Sequence, residues 1–166
     1  MNPMPISVRK TTAVAALAAA TTLVLSGCGM TGAGHAMTIE EAQSQAIIEF
    51  RSVLALAPDT WPQEVPKAAA YDCRIDGARA VQFGYYVEVD APDDPGTLVA
   101  QAGEHWEREG YELSKTQTEM DPETGQVYAV VARADGKPRA SMAATKVRAH
   151  VNVDSRCVLG DPDDYR

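Results

Sequence analysis

A cysteine that follows two small residues has the clearest chemical potential in this sequence. Cys28 is preceded by Leu25, Ser26 and Gly27. A cysteine thiolate is a nucleophile that can form a thioether. The small side chains of Ser26 and Gly27 allow a peptidase to reach the bond before Cys28. These residue types therefore favour cleavage before Cys28 and alkylation of its thiol.

The residues before this cysteine have the organisation of a secretion signal. Arg9 and Lys10 precede an apolar run of 13 residues at positions 13–25, and no acidic residue occurs before Glu40. A helix needs about 20 apolar residues to cross a bilayer, so this run is too short to span one. Its length is typical of the apolar core of a signal peptide. We predict that residues 1–27 are a signal peptide.

The four residues that end in Cys28 resemble the lipobox of bacterial lipoproteins. The resemblance implies that Cys28 carries acyl chains such as palmitate and holds the protein on the extracytoplasmic face of the cell membrane. Stable anchoring would need more than one acyl chain. An ordinary secretory signal with Cys28 as a free thiol is the alternative. A twin-arginine signal fits less well, because Arg9 is followed by lysine.

The segment after Cys28 is small and glycine-rich. Residues 28–37 predict a flexible tether with a root-mean-square reach of about 16 Å. The domain that follows would therefore stay close to the bilayer.

Two cysteines remain if Cys28 is lipidated. Cys73 and Cys157 lie 84 positions apart, and in an oxidising compartment such a pair predicts a disulfide. A reactive or metal-binding thiol pair is the alternative. Neither cysteine has a second cysteine or a histidine at zinc-ligand spacing, so we predict no metal site.

The charge balance restricts the possible partners. Without residues 1–27 the chain of 166 residues retains 139, with 13 Lys and Arg, 23 Asp and Glu, and a net charge of −10. Nucleic-acid-binding domains carry basic patches, and anionic lipid attracts basic segments. We therefore expect no nucleic-acid partner, and contact with the bilayer through acylated Cys28. A single monomeric domain fits this length.

Hydrophobic periodicity predicts two helices. The first begins with a capping box of Thr38 and Glu41 and ends at Pro58. The second begins after Asp94, with Pro95 in its first turn, and ends at Gly110.

Alternating patterns predict the strands. They cover residues 71–75, 81–89, 111–119, 126–133 and 140–154. The fold class is α+β, with an antiparallel sheet of four to five strands and both helices packed on one face. The domain covers residues 38–160, and we expect the acidic tail at 161–166 to be loose.

The last predicted strand has a polar side that is mostly basic. Lys146, Arg148, His150 and Asn152 alternate with apolar residues, and Tyr86 joins them if its strand lies alongside. On an acidic protein this row suggests a docking surface for an acidic partner or an anionic group. A solvated strand face without a ligand is the alternative.

The sequence contains no catalytic pattern. None of the serines lies in a Gly-x-Ser-x-Gly elbow. His105 has glutamates beside it but lacks the second histidine of a metalloprotease helix. Asp90, Asp93 and Asp94 lack the ligand spacing of a calcium loop. We predict no catalytic residue, no metal and no cofactor.

The arrangement of these parts resembles a group of small actinobacterial cell-envelope lipoproteins, most of them uncharacterised. The matching parts are Cys28, residues 38–41, Cys73, residues 106–111 and Cys157. The resemblance covers most of the mature chain and implies its location, its fold and the disulfide. It transfers no catalytic residue.

These observations predict a non-enzymatic binding or interaction module of the cell envelope. Its partner would be an envelope protein or a ligand. A small-ligand-binding protein or an accessory subunit of an envelope enzyme is one alternative. A hydrolase inhibitor that acts through the loop at residues 135–138 is another.

Overall fold

The structure is a computed structural model that describes residues 36–117 and 122–166. Cys28, the predicted signal peptide and most of the predicted tether lie outside the described residues. The elements are α1 (Ile39–Leu54), β1 (Ala69–Ile75), β2 (Ala78–Asp90), α2 (Pro95–Arg108), β3 (Glu112–Gln117), β4 (Tyr128–Arg133), β5 (Arg139–Ala144), β6 (Arg148–Asp154), β7 (Val158–Leu159) and a 3-10 helix (Pro162–Tyr165). Neither described helix has the length and apolar character needed to cross a membrane.

The two helices begin at the predicted caps. The Thr38 hydroxyl accepts a hydrogen bond from the Glu41 amide at 3.2 Å, and the Glu41 carboxylate accepts one from the Thr38 amide at 2.8 Å. At α2 the Asp94 carboxylate accepts a hydrogen bond from the Thr97 amide at 3.0 Å. The predicted capping box is therefore confirmed. Helix α1 ends at Leu54 and continues as a tighter turn, so Pro58 lies beyond it.

The strands form one antiparallel sheet. Their order is β1-β2-β6-β5-β4-β3. The short strand β7 pairs with the first half of β2, along the edge of β2 opposite to β1. Both helices pack on the same face of this sheet. The core between the layers contains Phe50 from α1, Trp106 from α2, and Phe83, Met142 and Val151 from the strands, all almost fully buried. The predicted α+β fold with both helices on one face is confirmed.

The sheet has seven strands, more than the four to five predicted. The predicted strand at 140–154 is two strands, β5 and β6, which a turn at residues 145–147 separates. The Thr145 hydroxyl makes this turn by accepting hydrogen bonds from the amides of Val147 and Arg148, each at 3.2 Å. Local bonds of this kind from threonine compete with a strand. The short strand β7 accounts for the other addition.

The predicted disulfide between Cys73 and Cys157 is confirmed. The Cα atoms of the two residues are 6.2 Å apart. Cys73 lies in β1, and Cys157 comes directly before β7. Since β1 and β7 both pair with β2, the bridge joins two neighbours of the same strand.

The acidic tail is ordered against β1, so the prediction of a loose tail was wrong. Arg79 forms salt bridges with Asp161 at 2.7 Å and Asp163 at 2.8 Å. Arg166 forms salt bridges with Asp163 and with Asp72 of β1, both at 2.7 Å. Repulsion among the tail carboxylates is therefore offset by two guanidinium groups. The Arg79 group comes from a strand more than 80 residues earlier.

Candidate functional site

The face of the sheet away from the helices, which we call the outer face, presents polar and small side chains. Its residues occupy alternate positions on neighbouring strands. They include Tyr86 and Glu88 of β2, Arg148, His150 and Asn152 of β6, Arg139, Ser141 and Ala143 of β5, and Ala129, Val131 and Arg133 of β4. Both helices pack on the opposite face, so neither of them covers this side of the sheet.

The middle of the outer face carries mostly short side chains. Tyr86 lies opposite Asn152, which lies opposite Ser141, which in turn lies opposite Val131. Ser141 and Val131 are half-buried, while Tyr86 is 49% exposed at one side of this row. A large, exposed aromatic side chain beside short neighbours is the kind of group that anchors protein contacts.

The polar residues of β2 and β6 form a connected group at one end of the outer face. The Tyr86 hydroxyl donates a hydrogen bond to the Glu88 carboxylate at 2.6 Å, and this bond is the main reason that the pKa of Tyr86 is raised. The other Glu88 oxygen lies 3.9 Å from an Arg148 nitrogen. The His150 ring packs against the Tyr86 ring with centroids 5.6 Å apart. We call these four residues the Tyr86 group.

The Tyr86 group carries less positive charge than its sequence suggests. Partial burial lowers the pKa of His150, and the nearby Arg148 adds to that effect while Glu88 opposes it. The protein therefore favours the neutral form of the His150 imidazole. Arg148 is close to Glu88, although an exposed ion pair of this length contributes little to stability. The Tyr86 group, with one arginine and one glutamate, is thus polar and close to neutral in the folded protein.

Lys146 does not belong to this row, and its predicted place in the strand was wrong. The residue lies in the turn between β5 and β6, where the Thr145 hydroxyl interrupts the extended backbone. Its ammonium group donates to the Pro122 carbonyl at 3.4 Å, in the segment before β4. Lys146 is therefore outside strand β6, in which Arg148, His150 and Asn152 alternate onto one face.

The other end of the outer face holds two arginines that the sequence reasoning missed. Arg133 ends β4 and Arg139 begins β5. Because Ala132 lies opposite Ala140, the next pair in the same register is Arg133 opposite Arg139. A signal was present, since both lie three positions from Gly136 in the hairpin turn, and residues equidistant from a turn become cross-strand neighbours. Both side chains are exposed.

A serine, a histidine and a glutamate meet between the helices without forming a catalytic triad. His105 Nε2 lies 3.1 Å from the Ser52 hydroxyl and 3.9 Å from a Glu49 oxygen. In a triad the acid binds the other ring nitrogen. Here the Glu49 oxygens accept hydrogen bonds from Trp106 Nε1 at 2.8 Å and from the Tyr111 hydroxyl at 3.0 Å. This cluster therefore connects α1 with α2 and the start of β3.

Within residues 36–117 and 122–166, no group of three or more His, Cys, Asp or Glu side chains has an arrangement that would hold a metal ion. Comparisons of the chain with protein-family models, with curated proteins and with solved structures found no match. The geometry of the outer face is therefore the basis for assigning a function.

Proposed function

We propose that this protein is a lipid-anchored, extracytoplasmic binding module of the cell envelope and has no enzymatic role. The signal-like residues 1–27 and the lipobox-like segment that ends at Cys28 support the anchor. The strongly acidic domain supports attachment through acyl chains rather than through charge. The disulfide between Cys73 and Cys157 fits an oxidising compartment.

The observation that carries the binding role is the outer face. Six neighbouring strands present it, and both helices lie on the other side. Its short central side chains let another surface approach closely, and Tyr86 supplies an exposed aromatic group at its side. Because the Tyr86 group is almost neutral, we infer docking by shape, an aromatic contact and hydrogen bonds, with charge attraction in a minor role.

A second candidate, binding of a small ligand, is favoured by one observation. The end of the sheet at Arg133 and Arg139 contains a cleft of about 580 Å³, a size that fits small molecules. The loop at residues 135–138 gains no support as an inhibitory loop. Lys137 is fastened to the Glu109 carbonyl and lies over the Tyr111 ring, and Pro138 is buried.

Cys28→Ser should abolish lipidation, because the thioether can form only at this sulfur. Cells that are fed a clickable palmitate analogue would label the wild-type chain and leave the variant unlabelled. The label is a better measure than membrane fractionation, since an uncut signal peptide can itself keep the variant at the membrane. Cys73→Ser serves as the matched control and should retain its label. A labelled Cys28→Ser chain, or an unlabelled wild type, would refute the anchor.

If a partner docks on the outer face, the yield of crosslinked partner should depend on where in the protein a photo-reactive residue is placed. A photo-reactive amino acid at Ser141, in the middle of the outer face, should capture a discrete partner in intact cells. The same group at Arg51, exposed on α1, should not. Tyr86→Ser combined with Arg148→Gln should reduce the Ser141 crosslink by about tenfold, since exposed aromatic anchors often dominate binding energy.

The control for that experiment is Lys67→Gln, an exposed position in the segment before β1. This variant should leave the crosslink unchanged. Equal capture from Ser141 and Arg51 would exclude the outer face as the docking surface. So would a crosslink at Ser141 that the Tyr86 and Arg148 substitutions do not weaken.

A further inference from the structure

The two arginines at the far end of the outer face are cross-strand neighbours that form no salt bridge within the described residues. Arg133 and Arg139 lie side by side on paired strands, and like charges in that position are destabilising. Among the residues that the structure describes, neither guanidinium takes part in a salt bridge. Glu112 and Asp154 are the adjacent cross-strand neighbours, yet neither closes on them. Two exposed guanidinium groups therefore lie on adjacent strands with no salt bridge to occupy them.

We propose that this pair binds the phosphate or carboxylate group of a small hydroxylated molecule. The guanidinium group is planar and presents a fork of donors that matches both anions in a bidentate manner. Two such forks on adjacent strands would bind the same anionic group. That group would gain an attraction to both Arg133 and Arg139 in addition to its hydrogen bonds.

The surroundings of the pair form a cleft of about 580 Å³. Lys137 lines the cleft and is held in place at the end of α2. Its ammonium group donates to the Glu109 carbonyl and lies 4.8 Å from the centre of the Tyr111 ring. A lysine that is fixed by a carbonyl and an aromatic face loses less freedom when a ligand binds. The cleft thus offers three cationic groups, one of which is positioned in advance.

The charges around the cleft disfavour a ligand with several anionic groups. Glu112 and Asp135 also line it, and Asp154 lies opposite Arg139, so three cations stand beside three carboxylates. The net charge of the whole chain, −8, repels a polyanion at longer range. The carboxylates can accept hydrogen bonds from hydroxyl groups. A sugar phosphate or a sugar acid combines one anionic group with several hydroxyls and suits this size of cleft.

This inference deepens the proposed function, since it gives a ligand class to one end of the outer face. Arg148 and Glu88 of the Tyr86 group lie toward the opposite end of β6, because Arg139 pairs with Asp154 while Arg148 pairs with Asp90. Loss of anion binding and loss of partner docking can therefore be observed separately.

The test is a titration of the purified full chain, observed through the arginine Nε–H signals in NMR spectra at low ionic strength. Glucose 6-phosphate and glucuronate should shift the signals of Arg133 and Arg139 in a saturable manner at millimolar concentrations. Inorganic phosphate should bind more weakly, and glucose should cause no shift. Arg133→Gln and Arg139→Gln should each weaken binding by about tenfold.

Arg148→Gln is the matched control, because it removes an arginine from the other end of the same face. This variant should bind glucose 6-phosphate as the wild type does. Arg133→Gln should also leave the thermal midpoint unchanged, since the side chain is exposed and forms no salt bridge. No saturable shift, equal weakening in Arg148→Gln, or a lower thermal midpoint in Arg133→Gln would overturn the proposal. Inorganic phosphate that binds as tightly as glucose 6-phosphate would overturn the requirement for hydroxyl groups.

Discussion

Replacing Cys73 and Cys157 together by serine should lower the free energy of unfolding by about 4–5 kcal/mol. The disulfide closes a loop across a sequence separation of 84, so it removes many conformations from the unfolded chain. Domains of this size are stable by about 5–15 kcal/mol, so the double variant should be close to unfolding. Chemical denaturation followed by circular dichroism measures the loss.

Cys28→Ser is the control for this experiment, because it removes the third cysteine without removing the bridge. Its denaturation curve should match that of the wild type. A reducing agent should destabilise the wild type and have no effect on the double variant. If the wild type unfolds at the same denaturant concentration with and without reductant, the bridge does not contribute to stability.

Replacing Glu49 by alanine should cost about 3 kcal/mol, because it leaves two buried donors without an acceptor. Trp106 is fully buried and Tyr111 is 5% exposed, and each donates to one oxygen of the Glu49 carboxylate. Burial, and then the nearby Glu49 charge, raise the pKa of Tyr111, so its hydroxyl remains a donor at neutral pH. Glu49→Gln keeps one acceptor oxygen and should cost about half as much.

Glu40→Gln is the control for the Glu49 variants, since Glu40 is exposed in the first turn of the same helix. It should change the free energy of unfolding by less than about 0.5 kcal/mol. A double-mutant cycle of Glu49→Gln with Trp106→Phe should show coupling between the two residues. Equal losses for the Glu40 and Glu49 variants, or additive effects in the cycle, would contradict the structural role of Glu49.

Local chemistry explains the parts of the fold that were predictable. Thr38 and Asp94 cap their helices through side-chain oxygens a few residues from the amides that they satisfy. Gly110 has a positive φ of 81° after α2, and Asp76 and Gly77 make the tight turn between β1 and β2, with φ values of 49° and 83°. Each of these signals acts within one turn of backbone, so a sequence pattern is enough to reveal it.

The break between β5 and β6 was missed because its signal is weak. The turn at 145–147 contains no glycine, proline or asparagine, and Thr145 makes it with its own hydroxyl. The buried positions change phase at this point. They are even-numbered in β5, where Met142 is buried, and odd-numbered in β6, where Val151 is buried. Alanines at both 143 and 144 conceal that change, since alanine is tolerated on either face.

Short-range sequence patterns were enough for the helix caps, the turns at Asp76-Gly77 and Gly110, the fold class and the pairing of Cys73 with Cys157. They also predict a lipid anchor at Cys28. Only the tertiary structure placed Glu49 between Trp106 and Tyr111, moved Lys146 out of the polar row, and ordered the tail on Arg79. It also placed Arg133 and Arg139 in a cleft with Lys137. These contacts depend on strand register and on how the helices cross the sheet. They join residues that no short-range pattern relates, because burial and pairing over the whole chain decide which side chains meet.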